Sequence, residues 1–468
     1  MKKYLFLAVA ATVFAACSND SDPVSQAPEN GKNNTEAVNV PVTFGAYVDR
    51  ATTRAGVTGE STVASLQAAG VGFGVMAYYT DNNTYDGLTT PNFMYNQQVT
   101  YDATNGVWTY TPVKYWPNEY GSNATSEEID RVSFFAYGPY VAVTPSNGKA
   151  TANADWGITG LSRNSATGDP FVKYIASFDE TKSVDLVWGV SDGTAWNIVE
   201  STTAQTMTAG LPWLDVQRPK TPTASQNLKF TFKHALTQLN VQIDAIVDAV
   251  TTPANERDDN TRIFVRSVTF EGFAMQAALN LNNTEANKPL WLSYDGANDL
   301  DNGDEVTIYD GRKDGKEGVA AAGSEKSRGL NPVLIQDTEW DLTAASTMKR
   351  GVTKTPVNLF NSTVANTCFY VIPTNDNVKV TIVYDVETED ANLNTYLSDG
   401  KTHGSSIENK ITKDINFGTA ASPAYKMEAG KSYALALHLG MNSVKFEAAV
   451  TDWPTTSDQA PTDLPANN

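Results

Sequence analysis

The stretch Val40-Pro41-Val42-Thr43-Phe44-Gly45-Ala46-Tyr47-Val48 sets Val40, Val42, Phe44, Ala46 and Val48 at every second position, with Pro41, Thr43, Gly45 and Tyr47 between them. A period of two puts one set of side chains on one face of an extended chain, so the stretch reads as a half-buried β-strand. Pro41 has no amide proton to give to a ladder, which places the start of the strand at a sheet edge. The same texture continues downstream. Strands are expected over Val71–Tyr79, Phe93–Tyr101, Gly106–Tyr110, Arg131–Tyr137, Ser183–Val190 and Leu228–Ile243, divided by turn residues at Asp81-Asn82-Asn83, Asn105-Gly106 and Asn147-Gly148. Thr62–Ala69 is the one early helix candidate. Repeated short strands with few helical stretches make the chain all-β and favour sandwiches.

Polar residues gather from Thr251 to Thr261 around the breaker Pro253, and the domain boundary is placed there. This divides the body into an N-terminal sandwich at 40–250, with 40–48 as its first strand, and a C-terminal sandwich at 255–453. The second half carries expected strands at Ile263–Phe270, Met275–Leu281, Phe369–Ile372, Lys379–Glu387, Lys431–Leu439 and Val444–Thr451. Asp295–Gly329 is rich in Asp, Gly, Lys and Glu and reads as a long surface loop. Residues 454–468 form a polar tail without an apolar period.

The chain has 468 residues, more than one compact core usually holds. With 34 Lys and Arg against 53 Asp and Glu, its net charge is −19, which repels phosphate backbones and argues against a nucleic-acid partner. Hydrophobic residues at 41% supply real cores. Two cysteines, Cys17 and Cys368, cannot build a disulfide framework or a zinc ribbon. No run of about 18 apolar residues is present to span a membrane as a helix.

Met1-Lys2-Lys3, an apolar run from Tyr4 to Ala16, and then Cys17 read as a signal peptide over 1–16. Ala15 and Ala16 directly before Cys17 resemble the bacterial lipoprotein signal, in which the cysteine is acylated. The other reading is an ordinary signal peptide with Cys17 as a bystander. Residues 17–39, poor in large apolar side chains, read as a flexible tether. Ser18-Asn19-Asp20-Ser21-Asp22 resembles the surface-export mark of lipoproteins in the Bacteroides group.

The sequence holds no catalytic constellation and no metal set, and no cofactor is expected. There is neither a His-Glu-x-x-His helix nor a Gly-x-Ser-x-Gly elbow. Gly70, Gly72 and Gly74 do not meet dinucleotide spacing, and packing is the simpler cause. Asp299-Leu300-Asp301-Asn302-Gly303 is an imperfect calcium loop, because its glycine comes one position early and Asp310 stands at the closing position; a solvated turn is the alternative. His234 reads as a core histidine, and His403 and His438 are too far from it in sequence to suggest a ligand set. Trp108, Tyr110, Tyr115 and Trp116 form either an aromatic plug at a strand end or a platform for sugars.

Several segments together resemble the fimbrillins and fimbrillin-like lipoproteins of the Bacteroides group. They are Lys114-Tyr115-Trp116-Pro117, Val132-Ser133-Phe134-Phe135-Ala136-Tyr137, Phe232-Lys233-His234-Ala235-Leu236-Thr237-Gln238-Leu239-Asn240-Val241, Tyr370-Val371-Ile372-Pro373, and the terminal pattern from Lys431-Ser432-Tyr433 through Val444 to Val450-Thr451-Asp452-Trp453. The resemblance runs from about Val40 to Trp453. It implies two transthyretin-like β-sandwich domains in tandem and a subunit of a type V pilus at the outer membrane and cell surface. Other pilus subunits would be its partners.

The resemblance also implies that an arginine-specific surface protease cuts just after the first strand. Arg54 before Ala55 is the matching position and Arg50 the second choice; both could instead be plain loop charges. The removable strand would carry Val40, Val42, Phe44, Ala46 and Val48, and its loss would open an apolar groove for strand addition. Val444, Phe446, Ala448 and Val450 alternate in the same way and are the candidate donor strand; the other reading has them close the second domain's own sheet. Pro454 and a polar tail follow Trp453 where major fimbrillins continue with a further apolar stretch, so less apolar strand is available to a neighbour. The alternative function is a surface lipoprotein that stays on the membrane through acylated Cys17 and binds a glycan or protein.

Overall fold

The computed structural model of the protein describes residues 40–48, 61–117, 130–152, 155–177, 182–198, 203–219, 227–245, 261–296, 304–310, 333–334, 357–358, 368–374, 378–395, 397, 403–415, 417, 427–439 and 444–452. Cys17, Arg50, Arg54, Ala55, the tether, the polar tail and the calcium-like turn at Asp299–Gly303 lie outside the described residues. Within them the chain folds as strands, with one helix, Val63–Gln67. That helix is shorter than the span expected for it. Thr62 caps it: its hydroxyl accepts from the Ser65 amide at 3.0 Å, and the Ser65 hydroxyl accepts from the Thr62 amide at 2.6 Å. The chain leaves the helix at Ala68, with extended backbone.

An eight-stranded sheet organises the first half. Its order is Phe44–Val48, Leu228–His234, Val187–Ser191, Arg131–Gly138, Phe73–Tyr79, Met94–Asp102 and Val107–Thr109, with Trp213–Gln217 also paired to Arg131–Gly138. Its central strands are buried on both faces. Phe73, Val75, Ala77, Val132, Phe134 and Ala136 enter one core with Leu228, Phe230 and Phe232. Their neighbours Met76, Tyr78, Phe135, Tyr137 and Trp188 enter a second core. Double burial explains why these strands read as nearly continuous apolar runs. A four-stranded sheet, Leu290–Leu292, Gln276–Asn280, Phe171–Ile175 and Gly157–Leu161, supplies Trp291, Leu279, Ala277, Val172, Tyr174, Ile158 and Leu161 to that second core.

The second half is a sandwich of two five-stranded sheets. One holds Val357–Asn358, Thr237–Ala245, Lys431–Leu439 and Val444–Asp452, with Phe369–Val371 also on Thr237–Ala245. The other holds Asp304–Asp310, Thr261–Phe273, Val378–Glu389 and Gly404–Ile415, with Val333–Leu334 also on Thr261–Phe273. Leu239, Val241, Ile243, Leu435, Leu437 and Leu439 meet Val268, Phe270, Val378, Val380 and Ile382 in a third core. Arg266 lies buried in this half and pairs with Asp385. Among the described residues no helix is long and apolar enough to cross a membrane.

Several sequence expectations are revised. Leu228–Ile243 is two strands, broken at Ala235-Leu236, and they belong to different sheets. Consequently strand pairing crosses the boundary expected near 250–255 in both directions. Thr237–Ala245 joins the C-terminal sandwich, while Gln276–Asn280 pairs with Phe171–Ile175. Within the expected loop Asp295–Gly329, Asp304–Asp310 is a strand, with Asp310 opposite Ser267. Gly70 and Gly72 precede their strand in left-handed turns; at Gly72 a Cβ would stand 2.0 Å from the Val99 carbonyl oxygen.

Candidate functional site

The first segment forms one end of the eight-stranded sheet and is bridged to the stretch that follows the strand at the other end. Its upstream part runs along the stretch that follows the last strand in the sheet order. The Val42 amide donates to the Lys114 carbonyl at 2.9 Å, and the Trp116 amide donates to the Val40 carbonyl at 2.8 Å, around an antiparallel bridge between Pro41 and Tyr115. Its downstream part forms the other end of the order. Phe44–Val48 pairs in parallel with Leu228–Phe232, with Phe44 opposite Leu228 and Val48 opposite Phe232. The Leu228 amide donates to the Thr43 carbonyl at 3.0 Å, and the Thr43 hydroxyl donates to Asn227 Oδ1 at 2.5 Å. Nine residues of chain thus close a slot between the strand Leu228–His234 on one side and the bridged stretch Lys114–Trp116 on the other.

The side chains fill that slot. Val40, Val42 and Phe44 are 2%, 1% and 3% exposed, and Ala46 packs half-buried against the same core. The Phe44 ring stacks on Phe230 with centroids 6.0 Å apart and also meets Tyr110, Phe134 and Phe73. At about 1.5–3 kcal/mol per large apolar side chain, Val40, Val42 and Phe44 contribute roughly 5–9 kcal/mol. Val48 belongs to the strand by its backbone pairing.

Tyr110 is a further clamp. Its hydroxyl donates to the Val42 carbonyl at 2.9 Å and accepts from the Lys114 amide at 3.2 Å. Burial pushes its phenol up to about 12. Trp116 is buried against Phe134 and Trp196, and Trp196 stacks on Trp213. Trp108 is half-buried against Phe73 and Tyr101, while Tyr115 is exposed. The plug is therefore the reading the geometry carries for Tyr110 and Trp116. Sequence periodicity shows the first strand but not this second edge, because a single bridge at Pro41 and Tyr115 leaves no repeating pattern.

The chain resumes at Ser61, which is anchored. Its amide donates to Asp185 Oδ2 at 3.0 Å, and its hydroxyl donates to the Asp185 carbonyl at 3.2 Å. The same Asp185 oxygen lies 2.7 Å from His234 Nδ1, and both side chains are buried. His234 is thus a bonded core histidine. The stretch 49–60, which holds Arg50, Arg54 and Ala55, joins Val48 to this anchor. Among the described residues, no group of three His, Cys, Asp or Glu gathers in a way that could hold a metal ion.

The candidate donor, expected over Val444–Thr451, lies in the strand Val444–Asp452, which stands at a sheet edge, antiparallel to Lys431–Leu439. Val444, Phe446, Ala448 and Val450 occupy the register positions opposite Leu439, Leu437, Leu435 and Tyr433. This strand completes its own sheet in the single chain, with no further strand beyond it among the described residues.

No family model matches the chain. The Fimbrium subunit Fim1C of Phocaeicola vulgatus is 24% identical over 422 residues, covering 86% of each chain. The crystal structure of a fimbrial protein from Bacteroides vulgatus shares the fold, with a TM-score of 0.52 at 21% identity over 89% of this chain and 100% of that one. Both relatives are fimbrial proteins. The sequence likeness runs most of the chain's length, and the all-β fold is shared with a Bacteroides fimbrial protein.

Proposed function

We propose that the chain is a structural or adhesive subunit of a type V pilus, exported as a lipoprotein through acylated Cys17, cut after Arg54 and assembled with other subunits by strand exchange. The observation that carries this reading is the slot: a short segment at the start of the body pairs with Leu228–Phe232 on one side, is bridged to Tyr115 on the other, and seats Val40, Val42 and Phe44 in the core. Covalent attachment gives the segment a high effective concentration, so no outside strand competes while the chain is whole. A cut between Val48 and the Ser61 anchor makes the segment a separate peptide. Its departure leaves an apolar groove flanked by unpaired backbone groups, which is a template for an added strand.

Cleavage after Arg54 removes five acidic residues (Asp20, Asp22, Glu29, Glu36, Asp49) and five basic ones (Lys2, Lys3, Lys32, Arg50, Arg54), so the formal charge stays at −19. Maturation therefore acts through opening of the slot and release from the lipid rather than through charge. N-terminal sequencing and mass spectrometry of the surface form test the reading, with Cys17→Ser as a control that loses membrane attachment of the precursor. A start at Ala55 supports it, and a start at Arg50's successor, Ala51, moves the cut to the second position. A surface form that keeps acylated Cys17 instead identifies a membrane-held binder of a glycan or protein.

A further inference from the structure

The strand Gly404–Ile415 ends its sheet, and among the described residues no strand lies beyond it. Its middle reads alike in both directions about Asn409: Ser405-Ser406-Ile407-Glu408-Asn409-Lys410-Ile411-Thr412-Lys413. A glutamate and a lysine stand beside the centre, an isoleucine comes next on each side, and then a hydroxyl residue. Within the sheet, Ile407, Asn409 and Ile411 lie opposite Val386, Tyr384 and Ile382, which belong to the third core. Residues directly opposite in a ladder share a face, so these three lie on the core-side face. Ser406, Glu408, Lys410 and Thr412 lie on the other. Ile411 packs against the core, but Ile407 is 63% exposed, and Glu408 and Lys410 are exposed as well. We propose that this edge pairs with the same edge of a second copy of the chain, antiparallel, about a two-fold axis at Asn409.

That axis sets Glu408 of each copy opposite Lys410 of the other, which makes two ion pairs on one face. On the core-side face Ile407 of each copy meets Ile411 of the other, and Asn409 meets its own equivalent. Ser406 meets Thr412 beside the ion pairs. Opposite charges directly across two strands stabilise the pairing, and like charges oppose it. An edge guarded by lysines alone repels its equivalent, which is how charge keeps sheet edges apart. Here the change of sign across Asn409 turns that device into a fit. An axis moved one residue either way brings Lys410 against Lys410 or Glu408 against Glu408, and a parallel pair in register sets like on like as well. The charges therefore select one direction and one register. Pairing also sets Ile407 against an isoleucine and takes from water an apolar side chain that the single chain leaves exposed. The contact uses neither the first-segment slot nor the last strand, so it stands apart from the strand-exchange reading.

The test uses the uncut full-length chain with Cys17→Ser, which carries no lipid and whose slot is filled by its own first segment. Sedimentation velocity over about 1–200 µM should show a monomer–dimer equilibrium. Glu408→Lys and Lys410→Glu each turn both ion pairs into like-charge pairs and should raise the dissociation constant at least about tenfold. Glu408→Lys and Lys410→Glu in one chain reverse both signs together and should return it to within about threefold of the parent. Mixing the two single variants should give a mixed dimer, because one copy then presents two lysines and the other two glutamates. Both positions are exposed, so every variant should keep a melting midpoint within about 2 °C of the parent, which separates lost association from lost folding. A monomer at every concentration overturns the proposal and leaves the strand-exchange reading as it stands. A dimer indifferent to the single charge reversals, or one that neither the double variant nor the mixture restores, places the contact elsewhere and overturns it too.

Discussion

Phe44→Ala removes the largest side chain with which the first segment enters the core. The ring is 3% exposed, stacks on Phe230 at 6.0 Å and touches Tyr110 at 5.4 Å, Phe134 at 6.1 Å and Phe73 at 6.4 Å. Truncating a buried phenylalanine costs about 3–5 kcal/mol in transfer free energy and cavity. Aromatic pairing adds about 0.5–1.5 kcal/mol per pair beyond buried area, which favours the upper part of that range. Urea unfolding followed by tryptophan fluorescence reads the same core, because Trp116, Trp196 and Trp213 lie in it. Leu88→Ala, at a residue 75% exposed, is the control and should stay within about 0.5 kcal/mol. In cut protein, a loss of about 3 kcal/mol speeds departure of the segment about 100-fold if the transition state for release lacks the Phe44 contacts. A loss below about 1 kcal/mol in the intact chain would refute the claim that the segment is a core element.

Two other perturbations probe the clamp and the sheet it closes. Tyr110→Phe keeps the ring and deletes the bonds to Val42 and Lys114, so it should cost about 1 kcal/mol in urea unfolding. The Tyr110 phenol is raised to about 12 in the fold against about 10 in an unfolded chain, so the folded state holds the extra proton between these values. Its contribution to stability is complete below pH 10 and is lost as pH rises towards 12; ultraviolet phenolate titration should show one fewer late-titrating tyrosine in Tyr110→Phe. Gly74→Ala should destabilise by about 1–3 kcal/mol in thermal melts, since a Cβ there would lie 2.4 Å from the Tyr137 ring and 2.9 Å from Asn96 Oδ1.

The first strand is legible because one of its faces is buried and the other is not, which is the condition under which alternation survives in sequence. Phe73–Tyr79 is legible for the opposite reason: burial on both faces leaves an apolar run. Gly404–Ile415 escapes the reading because it is an edge strand with Glu408, Lys410, Lys413 and Asp414 exposed along it. The two residues Ala235 and Leu236 are apolar and buried, so nothing in composition marks the passage from one sheet to another there. At the site, Val40, Val42 and Phe44 were visible as strand positions. Tyr110 and Asp185 were not visible as its supports, because their roles depend on backbone groups brought near them only by the fold.

If cleavage opens the slot that the segment at 40–48 closes, amide hydrogen exchange registers it at two donors. In the intact chain the Trp116 amide is bonded to the Val40 carbonyl and the Leu228 amide to the Thr43 carbonyl. After an arginine-specific cut, the 40–48 peptide should separate and both amides should lose protection, while Phe134 in the middle of the sheet keeps its own. Retention of the peptide, or unchanged protection of Trp116 and Leu228 after its removal, would show that the segment is not a removable plug.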